Sequence, residues 1–214
     1  MRRVFFTGAG GVGKTSVLVS LEKKLTENGI RFVTFLSVSR EFFKSQGITS
    51  EQAGLERREA DRLAFQSSLF EFYCQRLEHA CSLAKSNDAQ VFMSDRSPHD
   101  HLAYLIYNTP NLLTFDDLHR LRLKATQMFN NASESRIDPC SVFHFPCVAP
   151  WMTEQILQDG MRHAPPGKNF TVNAILESLS ADLHYEHRRE PILGDTTVEE
   201  RATFILNAIL EDMN

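Results

Sequence analysis

Gly8-Ala9-Gly10-Gly11-Val12-Gly13-Lys14-Thr15 matches G-x-x-x-x-G-K-[ST] at every defined position. Glycines at these spacings let successive backbone N–H groups turn toward one point and cradle phosphate oxygens. A helix beginning at Lys14 adds the positive end of its dipole. The Lys14 ammonium then reaches β- and γ-phosphates, and the Thr15 hydroxyl offers an oxygen to Mg²⁺. The motif stands between an apolar run, Val4 to Phe6, and a helical pattern, which is the context that this chemistry requires. The expected ligands are ATP and Mg²⁺, with Gly8, Gly10, Gly11, Val12, Gly13, Lys14, Thr15 and Ser16 around the nucleotide.

Asp95-Arg96-Ser97 closes a second apolar run, Val91 to Ser94. A carboxylate beside a phosphate loop can hold Mg²⁺ or take a proton from an attacking hydroxyl. A guanidinium there can clamp phosphate charge bidentately. Lys14, Asp95 and Arg96 are therefore the candidate catalytic groups, with Thr15 and Asp95 the candidate metal ligands. A structural reading stands beside the chemical one, in which Ser97-Pro98 merely opens the next helix.

Bringing both motifs to one place takes strands that end along one edge of a sheet. The patterns predict strands at 3–7, 31–36, 91–94, 141–145 and 191–193. Helices are expected at 14–28, 39–45, 56–85, 98–107, 115–131, 151–159, 171–184 and 198–213, with a polar loop at 160–168. Alternating strands and helices mean a three-layer α/β fold: a five-stranded parallel sheet with helices on both faces and its site at the carboxyl ends of the strands. No repeat or linker interrupts the 214 residues, so a single domain, 1–214, is expected.

The chain carries 23 basic and 27 acidic residues, which argues against a broadly basic surface for coating nucleic acid. No stretch approaches the length of a membrane span, so a cytoplasmic protein without membrane partners is expected. Cys74, Cys81, Cys140 and Cys147 form no C-x-x-C, and no histidine pair has zinc spacing, which points to core thiols.

The sequence resembles the P-loop nucleoside and nucleotide kinases, particularly the group containing bacterial nicotinamide riboside kinase and many phage kinases. The resemblance runs through the P-loop, Ser39-Arg40-Glu41-Phe42, Phe65-Gln66 on the long helix, Asp95-Arg96-Ser97, Asp159-Gly160-Met161-Arg162, Gly194 and Glu200-Arg201. It implies transfer of the ATP γ-phosphoryl group to a nucleoside- or nucleotide-type acceptor. It further implies a lid at about 150–170 that brings Arg162 and Lys168 over the phosphates, and a long-helix Gln66 that reads the acceptor base.

Several residues admit two readings. Arg40 is an acceptor-phosphate ligand or a solvated cation. Gln66 is a substrate reader or a polar core residue, and Asp100 a substrate-reading carboxylate or part of a cap. Arg57, Arg58 and Arg62 lie among Glu56, Glu59 and Asp61 and suit a wet, salt-bridged face. Trp151 and Phe170 suit packing beside the lid. Ser37 stands where related kinases usually carry a glutamate base, which leaves either Asp95 as the base or a different acceptor. A kinase acting on nucleic acid, at a 5′ end or a hydroxymethylated base, is one alternative. A non-kinase P-loop ATPase is another, although Val91-Phe92-Met93-Ser94-Asp95 only partly matches a Walker B strand. The oligomeric state, monomer or homodimer, is open.

Overall fold

Alternation along the strands sorts the apolar residues into two layers. In β1 (Arg2–Thr7) every residue is buried. Val4 and Phe6 join the core on one face of the sheet, while Phe5 joins the core on the other, as the two-residue period of a strand dictates. The computed structural model describes residues 1–36, 38–48, 59–130, 140–146, 166–180, 186–189 and 196–213.

Five parallel strands form the sheet: β1, β2 (Phe32–Phe35), β3 (Val91–Ser94), β4 (Cys140–His144) and β5 (Glu186–Arg189), in the order β2-β3-β1-β4-β5. β1 lies at the centre, with Phe5 opposite Ser94 on one side and Thr7 opposite His144 on the other. Its carboxyl end thus opens between the ends of β3 and β4, at the point where strand order reverses.

The helices among the described residues are α1 (Lys14–Glu27), α2 (Ser39–Ser45), α3 (Glu59–Ser86), α4 (Pro98–Asn108), α5 (Phe115–Asn130), α6 (Pro166–Ser180) and α7 (Val198–Glu211). α1 and α7 cover one face through Val17, Leu18, Leu21, Ala202, Ile205 and Ile209. α3, α4, α5 and α6 cover the other through Phe70, Leu77, Leu105, Ala125, Phe129 and Leu176. Among the described residues no helix is long and apolar enough to cross a membrane.

The outermost described strand is Glu186–Arg189, and the strand expected at 191–193 lies outside the described residues. Among the described residues it pairs with β4 alone, so backbone pairing can place it without the apolar run that marks the central strands. The helix expected at 171–184 starts at Pro166, so Lys168 belongs to its first turn instead of the expected loop, while the helix expected at 151–159 lies outside the described residues. Proline lacks only an N–H that a first turn leaves unpaired anyway, and therefore starts a helix as readily as it ends one.

The basic start of the chain has a structural use. Arg2 pairs with Ser141 and Asp212. Arg3 donates to the carbonyls of Met128, at 3.2 Å, and Phe129 at the end of α5, where a cation complements the helix dipole.

Candidate phosphate-binding site

The P-loop leaves the carboxyl end of β1 and turns into α1. Gly8 has φ +141°, and a Cβ there would stand 2.5 Å from the carbonyl oxygen of Phe145, so only glycine fits. Gly13 caps α1 in the left-handed region at φ +88°. Val12 is buried in the core on the α1 face and anchors the middle of the loop. Thr15 and Ser16 are exposed on the first turn of α1. Lys14 is only 5% exposed, and its Nζ donates to the carbonyls of Gly8, at 2.6 Å, and Ala9, at 2.7 Å. The ammonium is thus folded over the rim of the loop.

Asp95 comes from the end of β3, the neighbour of β1, so strand order brings it to the loop. The Thr15 hydroxyl donates to its Oδ2 at 3.1 Å. Its backbone N–H donates to the Phe35 carbonyl at the end of β2, while Oδ1 has no hydrogen-bond partner among the described residues. Carboxylate and hydroxyl oxygens are the hard donors that Mg²⁺ selects, so the pair fits that ion. The turn itself is fixed from behind, since Ser94 and Tyr73 both donate to the Arg96 carbonyl at 2.6 Å.

Arg96 lies with its Cζ 5.2 Å from the ring centre of Tyr104 and its Nη1 3.6 Å from Asp100. Burial works against the guanidinium charge, and Tyr104, Asp100 and Asp95 outweigh it, so its pKa stands above the ordinary value.

Asp100, read from sequence as a candidate for the acceptor, is fully buried in the wall of the P-loop. Oδ1 accepts the Gly8 N–H at 3.0 Å, and Oδ2 accepts the Ser97 N–H at 2.8 Å and hydroxyl at 2.6 Å, completing a capping box on α4. Its neighbours His99 and His101 stack on Phe129 and Tyr73, with ring centres 5.0 and 4.0 Å apart. Burial pushes their pKa values down to about 4 and about 3, respectively. Both are neutral ring partners in the core.

Gln66 is buried on α3, seven residues before Tyr73 and hence on the same helical face. Because α3 runs antiparallel to β3, Gln66 lies roughly 10 Å beyond Tyr73 past the strand ends. Near it Phe42, Phe65 and Leu69 form a separate apolar cluster between α2 and α3. Glu41, the carboxylate nearest in sequence to Ser37, is half exposed and paired with Arg76 at 2.9 Å.

Lys168 stands over two rings, with Nζ 5.8 Å from the centre of Tyr104 and 5.3 Å from that of Tyr107, and partial burial lowers its pKa. Phe170, expected to pack, is 58% exposed, because the early start of α6 turns it outward. Ser37, Arg57, Arg58, Trp151, Arg162 and most of the expected lid lie outside the described residues, as does the side chain of Arg40. Sequence reasoning missed Tyr104 and Asn169, which bond the N–H and the C=O of Gly10, respectively. Tyr104 follows Asp100 by four residues, so helical phase was the available signal.

A family model described as an AAA domain matches residues 3–201. No curated protein matches the chain. Among solved structures, the deoxyadenosine kinase of M. mycoides with bound dCTP is similar at a TM-score of 0.61 and 13% identity, covering 98% of this chain and 99% of that one. The same kinase with bound dATP gives 0.60 and 14%, covering 97% and 99%. At such identity the likeness concerns the fold, a parallel sheet flanked by helices as in the P-loop kinases.

Proposed function

This chain belongs to the AAA domain family, and on that premise we propose that it is an ATP- and Mg²⁺-dependent kinase acting on a nucleoside- or nucleotide-type acceptor. One observation carries the reading. Thr15 Oγ1 and Asp95 Oδ2 meet at 3.1 Å at the P-loop, while Asp95 Oδ1 is buried and has no hydrogen-bond partner among the described residues. A transferase needs a base facing the acceptor, and an unengaged carboxylate oxygen beside a phosphate cradle supplies one. The likeness of fold to a deoxyadenosine kinase supports the same reading.

Catalysis would then rest on positioning and charge. The P-loop amides hold the phosphates, and Lys14 moves from the carbonyls of Gly8 and Ala9 to the β- and γ-oxygens. Thr15 and Asp95 would hold Mg²⁺, which when bound neutralises phosphate charge. Arg96 faces the transferring group. Asp95 Oδ1 accepts the proton of an acceptor hydroxyl as the new O–P bond forms and the bond from the γ-phosphorus to the ADP oxygen breaks. Gln66 reads the acceptor beyond Tyr73, Arg40 meets an acceptor phosphate, and Arg162 and Lys168 add positive charge from the lid.

Transfer of label from γ-³²P-ATP tests this against two pools. One holds nucleosides, their monophosphates and nicotinamide riboside; the other holds oligonucleotides with free 5′ ends and DNA with hydroxymethylated bases. Label in a small molecule supports the proposal. Label in polymer overturns the acceptor class, and free phosphate alone overturns the kinase reading.

A further inference from the structure

Gly10 is held through both its backbone N–H and its C=O by helices that lie far from it in sequence. Its N–H donates to the Tyr104 hydroxyl on α4 at 2.9 Å, and its C=O accepts from Asn169 Nδ2 on α6 at 3.2 Å. The face of the same Tyr104 ring carries the Arg96 guanidinium at 5.2 Å and the Lys168 ammonium at 5.8 Å. One phenol therefore touches the P-loop, the Asp95-Arg96 turn and the start of α6.

An amide already bonded to a phenol oxygen is not free for a phosphate oxygen. The Gly8–Gly10 stretch lies toward the terminal phosphate, because Lys14, the residue that reaches β- and γ-oxygens, is folded onto the carbonyls of Gly8 and Ala9. A phenol oxygen has two lone pairs and accepts from the Gly10 amide and the adjacent guanidinium together, so when the amide leaves, the bond to Arg96 is left without a competitor and tightens.

We propose that Tyr104 is a positioning residue that couples arrival of a terminal phosphate at the P-loop to placement of Arg96. Without nucleotide its hydroxyl is shared between the Gly10 amide and Arg96; with a γ-phosphate bound, the amide turns to phosphate and the hydroxyl holds Arg96 alone. This inference rests on the phosphotransferase reading and adds to it a residue absent from the motifs.

The test is Tyr104→Phe, which keeps the ring under both cations and removes the oxygen. ATP and ADP dissociation constants and steady-state transfer are measured together. The Gly10 amide no longer has a competing acceptor, so ATP affinity rises about threefold while ADP affinity stays unchanged. Arg96 loses its oxygen partner, so kcat falls about tenfold. Tyr104→Leu, which also removes the platform, lowers kcat further and raises the KM for ATP. Wild-type kcat with an unchanged ATP-to-ADP affinity ratio in Tyr104→Phe overturns the proposal. Equal weakening of ATP and ADP with a lower Tm overturns it too, since a merely structural tyrosine would behave so. If the wild-type protein transfers phosphate to no acceptor, the kinase reading fails separately. The ATP-to-ADP affinity ratio then decides whether Tyr104 senses the terminal phosphate.

Discussion

Asp100 Oδ1 accepts the Gly8 backbone N–H at 3.0 Å and so joins the first turn of α4 to the first glycine of the P-loop. Asp100→Ala leaves Gly8 and Ser97 without their acceptor and Arg96 without its nearest anion. A loss of roughly 3 kcal/mol is expected, about 10 °C in Tm for a chain of this size, read by thermal unfolding. Burial pushes the Asp100 carboxyl up, but Lys14, Arg96 and Ser97 prevail, and its pKa lies below the ordinary 3.8. The folded pKa being the lower, this stabilisation is present above pH 3.8 and disappears as pH falls through the folded value. A Tm for Asp100→Ala equal to wild type at neutral pH contradicts it.

Asp95 and Thr15 separate by their dependence on Mg²⁺. Asp95→Asn is expected to bind ATP without Mg²⁺ as wild type does, while transfer falls on the order of a thousandfold. Thr15→Ala keeps the base and should mainly raise the Mg²⁺ concentration needed for half-maximal rate. Single-turnover transfer across a Mg²⁺ titration distinguishes the two; identical profiles would remove the division of roles.

His99 and His101 give the fold a slope on the acid side. Their folded pKa values, about 4 and about 3, lie below the ordinary 6.5, so the unfolded chain binds protons that the folded chain refuses. Stability therefore falls as pH drops below 6.5, by about 1.4 kcal/mol per pH unit for each histidine until the folded values are reached. Burial sets both shifts. Arg122 reinforces that of His99, Arg96 that of His101, and Asp100 opposes each. His99→Phe/His101→Phe keeps both ring stacks, and urea unfolding from pH 7 to 5 should show its acid slope flattened. An unchanged slope would reassign the effect to other groups.

Gln66 is the residue on which acceptor and ATP kinetics should part. Gln66→Leu fits an apolar surround, so the fold is expected to persist. The KM for the acceptor should rise about tenfold while that for ATP stays put. Equal KM values for wild type and variant would leave Gln66 as a core residue only.

Strands β1 to β4, α2 and the turn of the P-loop were legible because their signals are local. Ser39–Ser45 and Val91–Ser94 lie where the patterns predict them. The outer strand was not, since Glu186–Arg189 is placed by pairing with β4 rather than by an apolar run. Nor was the role of Asp100, because the spacing that makes it overhang the Asp95-Arg96 motif equally makes it a capping-box partner. The choice depends on Gly8, 92 residues away in sequence. Tyr104 and Asn169 carry no motif; their meaning exists only once α4 and α6 meet at Gly10.

Ser97, Asp100, Tyr104 and Tyr107 follow one another at intervals of three and four along α4 and form a single stripe, from the cap to the ring beneath Lys168. The wall of the phosphate site is therefore a phase relation along one rod. Substituting one member removes one contact, whereas deleting a single residue within α4 would turn everything beyond it by about 100° and carry Tyr104 and Tyr107 away together. In this helix the length of the chain is held more tightly than its composition.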